Sequence, residues 1–354
     1  MSTESAGHRS GWMVVTAAGL AIALLGGAAG AIVASRLNPA SGTSCDTVRV
    51  AETVLPSVVT VFATAANGQG GTGSGAITTA DGVIVTNDHV IHAAVAGGTI
   101  EVLMNSGEKV PATLVGTDPI TDLAVLHIAK TGLPELPLDA ANTVVVGQPV
   151  VALGAPLGLS GTVTSGIISA LDRNVPVPTG AGGTTILTGA LQTDTSINPG
   201  NSGGPLVTCD GRLIGVNTAG AAVPNANGEA SGGSVGLNFA VSAPTASRIA
   251  SQILADGRAT HPWIGAQIAE ITPTTAARFG VRQGLFVQQV VKDGPAARAG
   301  LQAGDVLVTI GGKPATGLSL AWLLVSASVG DQVEVEYLRG SELSRATLTL
   351  IEQP

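Results

Sequence analysis

From residue 47 onward the chain is a succession of short apolar runs separated by small and polar residues, at 57–64, 75–79, 83–86, 99–104, 110–116, 123–129, 150–153 and 163–171. Each has strand length and is rich in Val, Ile, Ala and Thr, so each predicts a β-strand. The pairs Asp81-Gly82, Ser106-Gly107 and Asp210-Gly211 tolerate the positive φ of tight hairpins. Consecutive hairpins predict an antiparallel barrel or sandwich. A last strand at 237–241 is followed by Ser242 as a helix cap, a helix with Ile249, Ile253 and Leu254 on one face, and Gly257 as its stop. Charges become denser from His261, where a second strand-turn pattern of about 90 residues begins.

The N-terminal end reads differently. Gly11 to Ala34 is 34 − 11 + 1 = 24 residues without a charge, and a helix of that length covers about 36 Å, enough for a ~30 Å hydrocarbon core. Residues 1–10 then form a cytoplasmic tail, 11–35 a transmembrane signal anchor and 36–46 a small-residue linker. The small residues at 26–31 keep a cleaved signal peptide open as the alternative. Either reading exports the rest of the chain, as a single-pass protein of the cell membrane or as a secreted one. Cys45 and Cys209 are the two cysteines; outside the cytoplasm a disulfide and two free thiols are both open.

Composition narrows the function. Only 11% of the 354 residues are charged, the formal charge is −8, and no Lys/Arg cluster exists, so the footprint of nucleic-acid binding is missing. Neither a metal nor an organic cofactor is implied.

Candidate chemistry gathers at Gly200-Asn201-Ser202-Gly203-Gly204-Pro205-Leu206. Glycines on both sides of a serine permit a tight bend that exposes Oγ and turns the N–H groups of Gly200 and Ser202 toward one point, as an acyl-transfer oxyanion requires. A serine needs a histidine to take its proton and a carboxylate to orient that histidine. Of five histidines, His89 directly follows an apolar strand, whereas His8, His92, His127 and His261 have blander placements. Asp122 opens the strand Leu123-Ala124-Val125-Leu126, and Asp118 reads as a solvated turn residue.

Three motifs, TNDHV around His89, TDLAVL around Asp122 and TDTSINPGNSGGPL around Ser202, together resemble the HtrA/Deg family of exported serine proteases. They stand in the order His, Asp, Ser, separated by 122 − 89 = 33 and 202 − 122 = 80 residues. The resemblance implies a mostly β chain: a chymotrypsin/trypsin-like double β-barrel over 47–256, then a PDZ domain over 262–354. His89 would be the general base, Asp122 its orienter and Ser202 the nucleophile, with Gly200, Asn201 and Ser202 as the oxyanion loop. Ser196, Ile197, Asn217, Thr218 and Ala219 would line an uncharged pocket for the residue before the cleaved bond; Ile197 as plain core is the alternative. Pro199 replaces the longer polar or charged side chain that the family often carries.

His261-Pro262-Trp263-Ile264-Gly265-Ala266 and the stretch Gly294-Pro295-Ala296-Ala297-Arg298-Ala299-Gly300-Leu301 are similar to PDZ sequences. Trp263, Ile264, Gly265 and Ala266 would form the loop that receives a C-terminal carboxylate. Residues 172–185 read as a long mobile loop in the position of the family's regulatory loop, with Arg173 as its candidate coupling residue. The family implies a protease that cuts unfolded or damaged envelope proteins under stress, binds C-terminal peptides and forms homotrimers. A holdase or PDZ scaffold with little proteolysis is the rival reading.

Overall fold

The computed structural model describes residues 45–138, 143–155, 161–178, 184–220 and 234–353. The expected anchor at 11–35 lies outside them, and among the described residues no helix is long and apolar enough to cross a membrane.

A short helix α1 (Thr47–Val54), whose N-cap Asp46 accepts from the Arg49 N–H, leads into the first barrel. That barrel contains β1 (Val58–Thr64), β2 (Gly70–Ile77), β3 (Val83–Thr86), β4 (Thr99–Leu103), β5 (Lys109–Asp118) and β6 (Leu123–His127), closed in the order β1-β2-β3-β6-β5-β4. Helix α2 (Asp88–Val95) interrupts it after β3. The second barrel contains β7 (Pro149–Gly154), β8 (Thr162–Pro178), β9 (Thr184–Thr193), β10 (Pro205–Thr208), β11 (Leu213–Gly220) and β12 (Asn238–Ser242), closed in the order β10-β11-β12-β9-β8-β7. Closure leaves no free strand edge in either barrel.

Each barrel has its own apolar filling. Val61, Ile77, Ile84, Val102 and Leu126 fill the first, and Val150, Ile168, Leu206, Ile214 and Ala240 the second. A third cluster joins them: Val85, Leu123 and Val125 meet Val216, Phe239 and Val241 under helix α3 (Ala243–Asp256), which contributes Ala246, Ile249, Ala250 and Ile253. α3 starts at Ser242 and stops at Gly257, whose φ of 73° lets its N–H reach the Ile253 carbonyl at 2.8 Å. Leu254, expected on the apolar face, is exposed; the buried stripe runs through the two alanines instead.

One expectation fails in the second barrel. Residues 172–178 are not a loop: β8 runs through Pro178 and pairs with β9 from Thr184, with Val175 opposite Leu187 and Val177 opposite Thr185. Val177 and Leu187 are buried in the cluster between the barrels, which holds this hairpin down. Residues 179–183 lie outside the described residues.

Beyond α3 follow β13 (Pro262–Trp263), β14 (Ala266–Ile271), α4 (Pro273–Phe279), β15 (Gly284–Val290), α5 (Pro295–Arg298), β16 (Val306–Ile310), β17 (Lys313–Pro314), α6 (Gly317–Ser326), β18 (Gln332–Arg339), β19 (Glu342–Thr349) and β20 (Ile351–Glu352). The main sheet has the order β14-β15-β16-β18-β19, so β14 is an edge. Its core, with Leu285, Val287, Leu307, Val335 and Leu348, is separate from those of the barrels.

Candidate active site

β3 delivers the chain to Asn87, the extended residue that starts α2, and His89 sits in that helix's first turn. Opposite it, Asp122 opens β6 with φ of 55°, a left-handed conformation that aspartate tolerates better than most side chains. Asn87 fixes this turn by donating from Nδ2 to the Asp122 carbonyl at 2.7 Å. The Asp122 carboxylate is turned toward His89: Oδ2 lies 2.8 Å and Oδ1 3.0 Å from Nδ1, and Oδ1 also accepts the His89 backbone N–H at 3.0 Å. A carboxylate only accepts, so Nδ1 carries the proton and Nε2 of the neutral ring is left with a lone pair. The remaining bond to Oδ2 comes from the Thr218 hydroxyl on β11. Asp122 is buried, while the His89 side chain is 30% exposed.

Two turns shape the nucleophile loop. Asn198-Pro199-Gly200-Asn201 closes with the Asn201 N–H on the Asn198 carbonyl at 3.0 Å, and Gly200 has φ of 101°. This is the type II pattern, with Pro at its second position and Gly at its third; Pro199 therefore fits the loop and stiffens it. Ser202 and Gly203 form the second turn, closed by the Gly204 N–H on the Asn201 carbonyl at 3.0 Å. A Cβ on Gly203 would meet the Ser74 carbonyl at 2.1 Å and the Thr86 hydroxyl at 2.3 Å, so no other residue fits there.

Among the described residues the N–H groups of Gly200 and Ser202 donate to no other backbone group, whereas that of Asn201 is used in the turn. Asn201 thus belongs to the loop without offering its own donor. The Ser202 hydroxyl donates to the Thr218 carbonyl at 2.9 Å rather than to His89. Thr218 therefore touches the carboxylate with its side chain and the nucleophile with its backbone.

A trypsin-like peptidase domain model matches residues 73–216, and a PDZ domain model matches 262–350. The solved HtrA-type protease AlgW with tripeptide is 34% identical with a TM-score of 0.71, over 87% of this chain and 98% of that one. A serine endoprotease from Yersinia pestis is 32% identical with a TM-score of 0.63, over 88% of this chain and 99% of that one. The chain belongs to the HtrA-type serine proteases. A probable periplasmic serine endoprotease, DegP-like, of Halomonas elongata is 40% identical over 80% of this chain and 56% of its own length. The serine protease PepD of Mycobacterium tuberculosis is 39% identical over 75% and 57%. The chain thus spans about half the length of the curated relatives it matches.

Within this HtrA-type frame the expected pocket residues separate. Ile197 is 4% exposed and packs in the second barrel's core. Asn217 is fully buried, and its Nδ2 donates to the carbonyls of Leu153 and Pro205 at 3.2 and 3.1 Å, tying strands together. Ser196 is exposed, with its carbonyl accepting from the Thr164 hydroxyl at 3.1 Å. Ala219 is described only as backbone in β11. Arg173 donates from Nε to Gln192 Oε1 at 3.0 Å within its own barrel. In the PDZ unit Ile264 is core and Gly265 has φ of 74°, with no space for a Cβ against Pro295. Trp263 pairs with Ile351, Ala266 begins the edge strand β14, and among the described residues the N–H groups of Ile264 and Gly265 donate to no backbone acceptor.

Two polar residues were not singled out as site residues. Ser74, fully buried on β2, donates to the Gly200 carbonyl at 2.6 Å and accepts the Ala155 N–H at 2.8 Å, fastening the nucleophile loop across the barrels. Asp88, the buried residue before His89, accepts from the Thr117 hydroxyl and faces His92 Nδ1 at 3.8 Å; burial pushes its carboxyl up from the usual range.

Proposed function

We infer that the chain is a serine endopeptidase hydrolysing unfolded or damaged proteins outside the cytoplasm. The observation that carries this is the Asp122 carboxylate fixing His89 through both its oxygens while Thr218 joins that carboxylate to Ser202. His89 Nε2 takes the Ser202 proton as Oγ attacks the carbonyl; the N–H groups of Gly200 and Ser202 bind the oxyanion. His89 then protonates the leaving amine and activates the water that releases the acyl group. Attack needs Oγ to leave the Thr218 carbonyl for His89, a side-chain rotation; apo sites commonly tighten only around substrate.

That parked hydroxyl is also what favours the rival reading, a holdase with little proteolysis. Casein digestion by the unaltered chain, abolished in Ser202→Ala, supports the protease; unfolded-protein protection without digestion supports the holdase.

The remaining assignments, the anchor apart, rest on the family. Ser196, Ile197, Asn217, Thr218 and Ala219 carry no charge of their own, which fits small apolar residues before the cleaved bond. A peptide C-terminus would add a strand beside β14, with its carboxylate received by the loop from Trp263 to Ala266 through the N–H groups of Ile264 and Gly265. The anchor at 11–35 rests on the uncharged run Gly11 to Ala34, whereas regulation through Arg173 and a homotrimer follow the family analogy.

A further inference from the structure

His261, which has no part in the triad, makes a part-buried side-chain contact across the molecule. Its Nε2 donates to Asp118 Oδ1 at 2.8 Å, with the two side chains 14% and 4% exposed. The two residues belong to different parts of the molecule. The His261 carbonyl accepts the Gln353 N–H at 2.9 Å, beside the pair β13–β20, so its backbone is built into the PDZ unit. Asp118 ends β5 and starts the turn that leads to Asp122.

The Asp118 carboxylate shapes that turn. Oδ1 accepts the Ile120 N–H at 3.3 Å and Oδ2 the buried Thr121 hydroxyl, so one side chain holds both residues before Asp122. Asp122 follows in its left-handed conformation, which persists only where neighbours over-determine it. Arg248 of α3 buries Nη1 and Nη2 without a hydrogen-bond partner among the described residues, and its guanidinium is attracted by the Asp118 charge. A buried guanidinium without partners is costly. If His261 leaves, Arg248 is the cation in reach, and its pull would turn the carboxylate away from Ile120 and Thr121.

We propose that His261 is a positioning residue: through Asp118 it holds the Asp122 turn, so that the seating of the PDZ unit sets how well Asp122 orients His89. This route is separate from Arg173, which pairs inside its own barrel. It rests on the triad assignment above. The test uses the full chain and a short C-terminally amidated peptide substrate, which offers no carboxylate to the PDZ unit. His261→Ala is expected to lower kcat by about 5- to 150-fold, the ordinary range of coupling between sites, with KM within twofold. It should also shift or broaden the downfield proton resonance of His89 Nδ1–H. His261→Gln, whose amide can replace the Nε2 donor, should restore most of kcat, and Arg258→Ala, on the exposed pair with Glu352, should change nothing. An unchanged kcat and resonance in His261→Ala overturn the proposal, as does a His261→Gln variant that folds as stably as the unaltered chain yet is equally slow. If the unaltered chain neither cleaves the peptide nor accepts a fluorophosphonate at Ser202, the triad assignment fails and the relay falls with it.

Discussion

Replacing Ser74 by Ala removes one oxygen from a fully buried site and orphans two backbone groups, the Gly200 carbonyl at 2.6 Å and the Ala155 N–H at 2.8 Å. A buried group left unpaired costs about 1–3 kcal/mol, so two cost about 2–6 kcal/mol if nothing moves. Gly200 is only half-buried, and its peptide has a cheaper exit: turning the carbonyl toward water. That rotation carries the Asn201 N–H, which shares the Gly200 carbonyl's peptide plane, off the Asn198 carbonyl and opens the turn that presents the Gly200 N–H to the oxyanion, a loss of about 10²–10³ in kcat. Ser74→Ala should therefore slow turnover of a peptide substrate by that factor with little change in KM, and lower the melting midpoint. Thr60→Val is the control, because Thr60 makes the neighbouring cross-barrel bond to the Ala155 carbonyl at 2.9 Å without touching the turn; it should cost stability and leave kcat alone. A Ser74→Ala protein with kcat within threefold of the unaltered chain would refute the reasoning.

Thr218→Val keeps shape but withdraws the hydroxyl from Asp122; kcat/KM should fall about tenfold, consistent with a bond to a charged group, and the effect should vanish in an Asp122→Asn background if it acts through that carboxylate. Asp88 is pushed up by burial, so its folded-state proton affinity exceeds that of the unfolded chain, and its ionisation opposes folding above its raised pKa. Asp88→Asn should accordingly raise the unfolding midpoint at pH 7 and much less at pH 4. Both cysteines are disulfide-bonded, so iodoacetamide without reductant should add no mass to the denatured chain; two adducts would contradict the bridge.

Which features the sequence exposed follows from what kind of signal they leave. Strands at 83–86 and 123–129 announced themselves by local apolar runs, and His89 and Asp122 sit at their ends, where the structure brings them together. Ser242 and Gly257 bracket α3 through backbone preferences that are also local. By contrast, Val175 and Val177 alternate with Pro176 and Pro178, and proline, lacking an N–H, suggested a loop where the cluster between the barrels holds a strand. Ser74 and Thr218 are small polar residues in strands, and nothing nearby in sequence tells a tertiary hydrogen bond from a solvated face. Asp118 resembled a surface turn residue because its partner His261 is 261 − 118 = 143 positions away.

The central claim, that Ser202 is made nucleophilic by His89 and Asp122, is tested most directly by mass spectrometry of the full chain after treatment with a fluorophosphonate. A single covalent adduct on Ser202, lost in His89→Ala and slowed in Asp122→Asn, is the predicted result. An adduct on another residue, or one on Ser202 that forms as fast without His89, would contradict it.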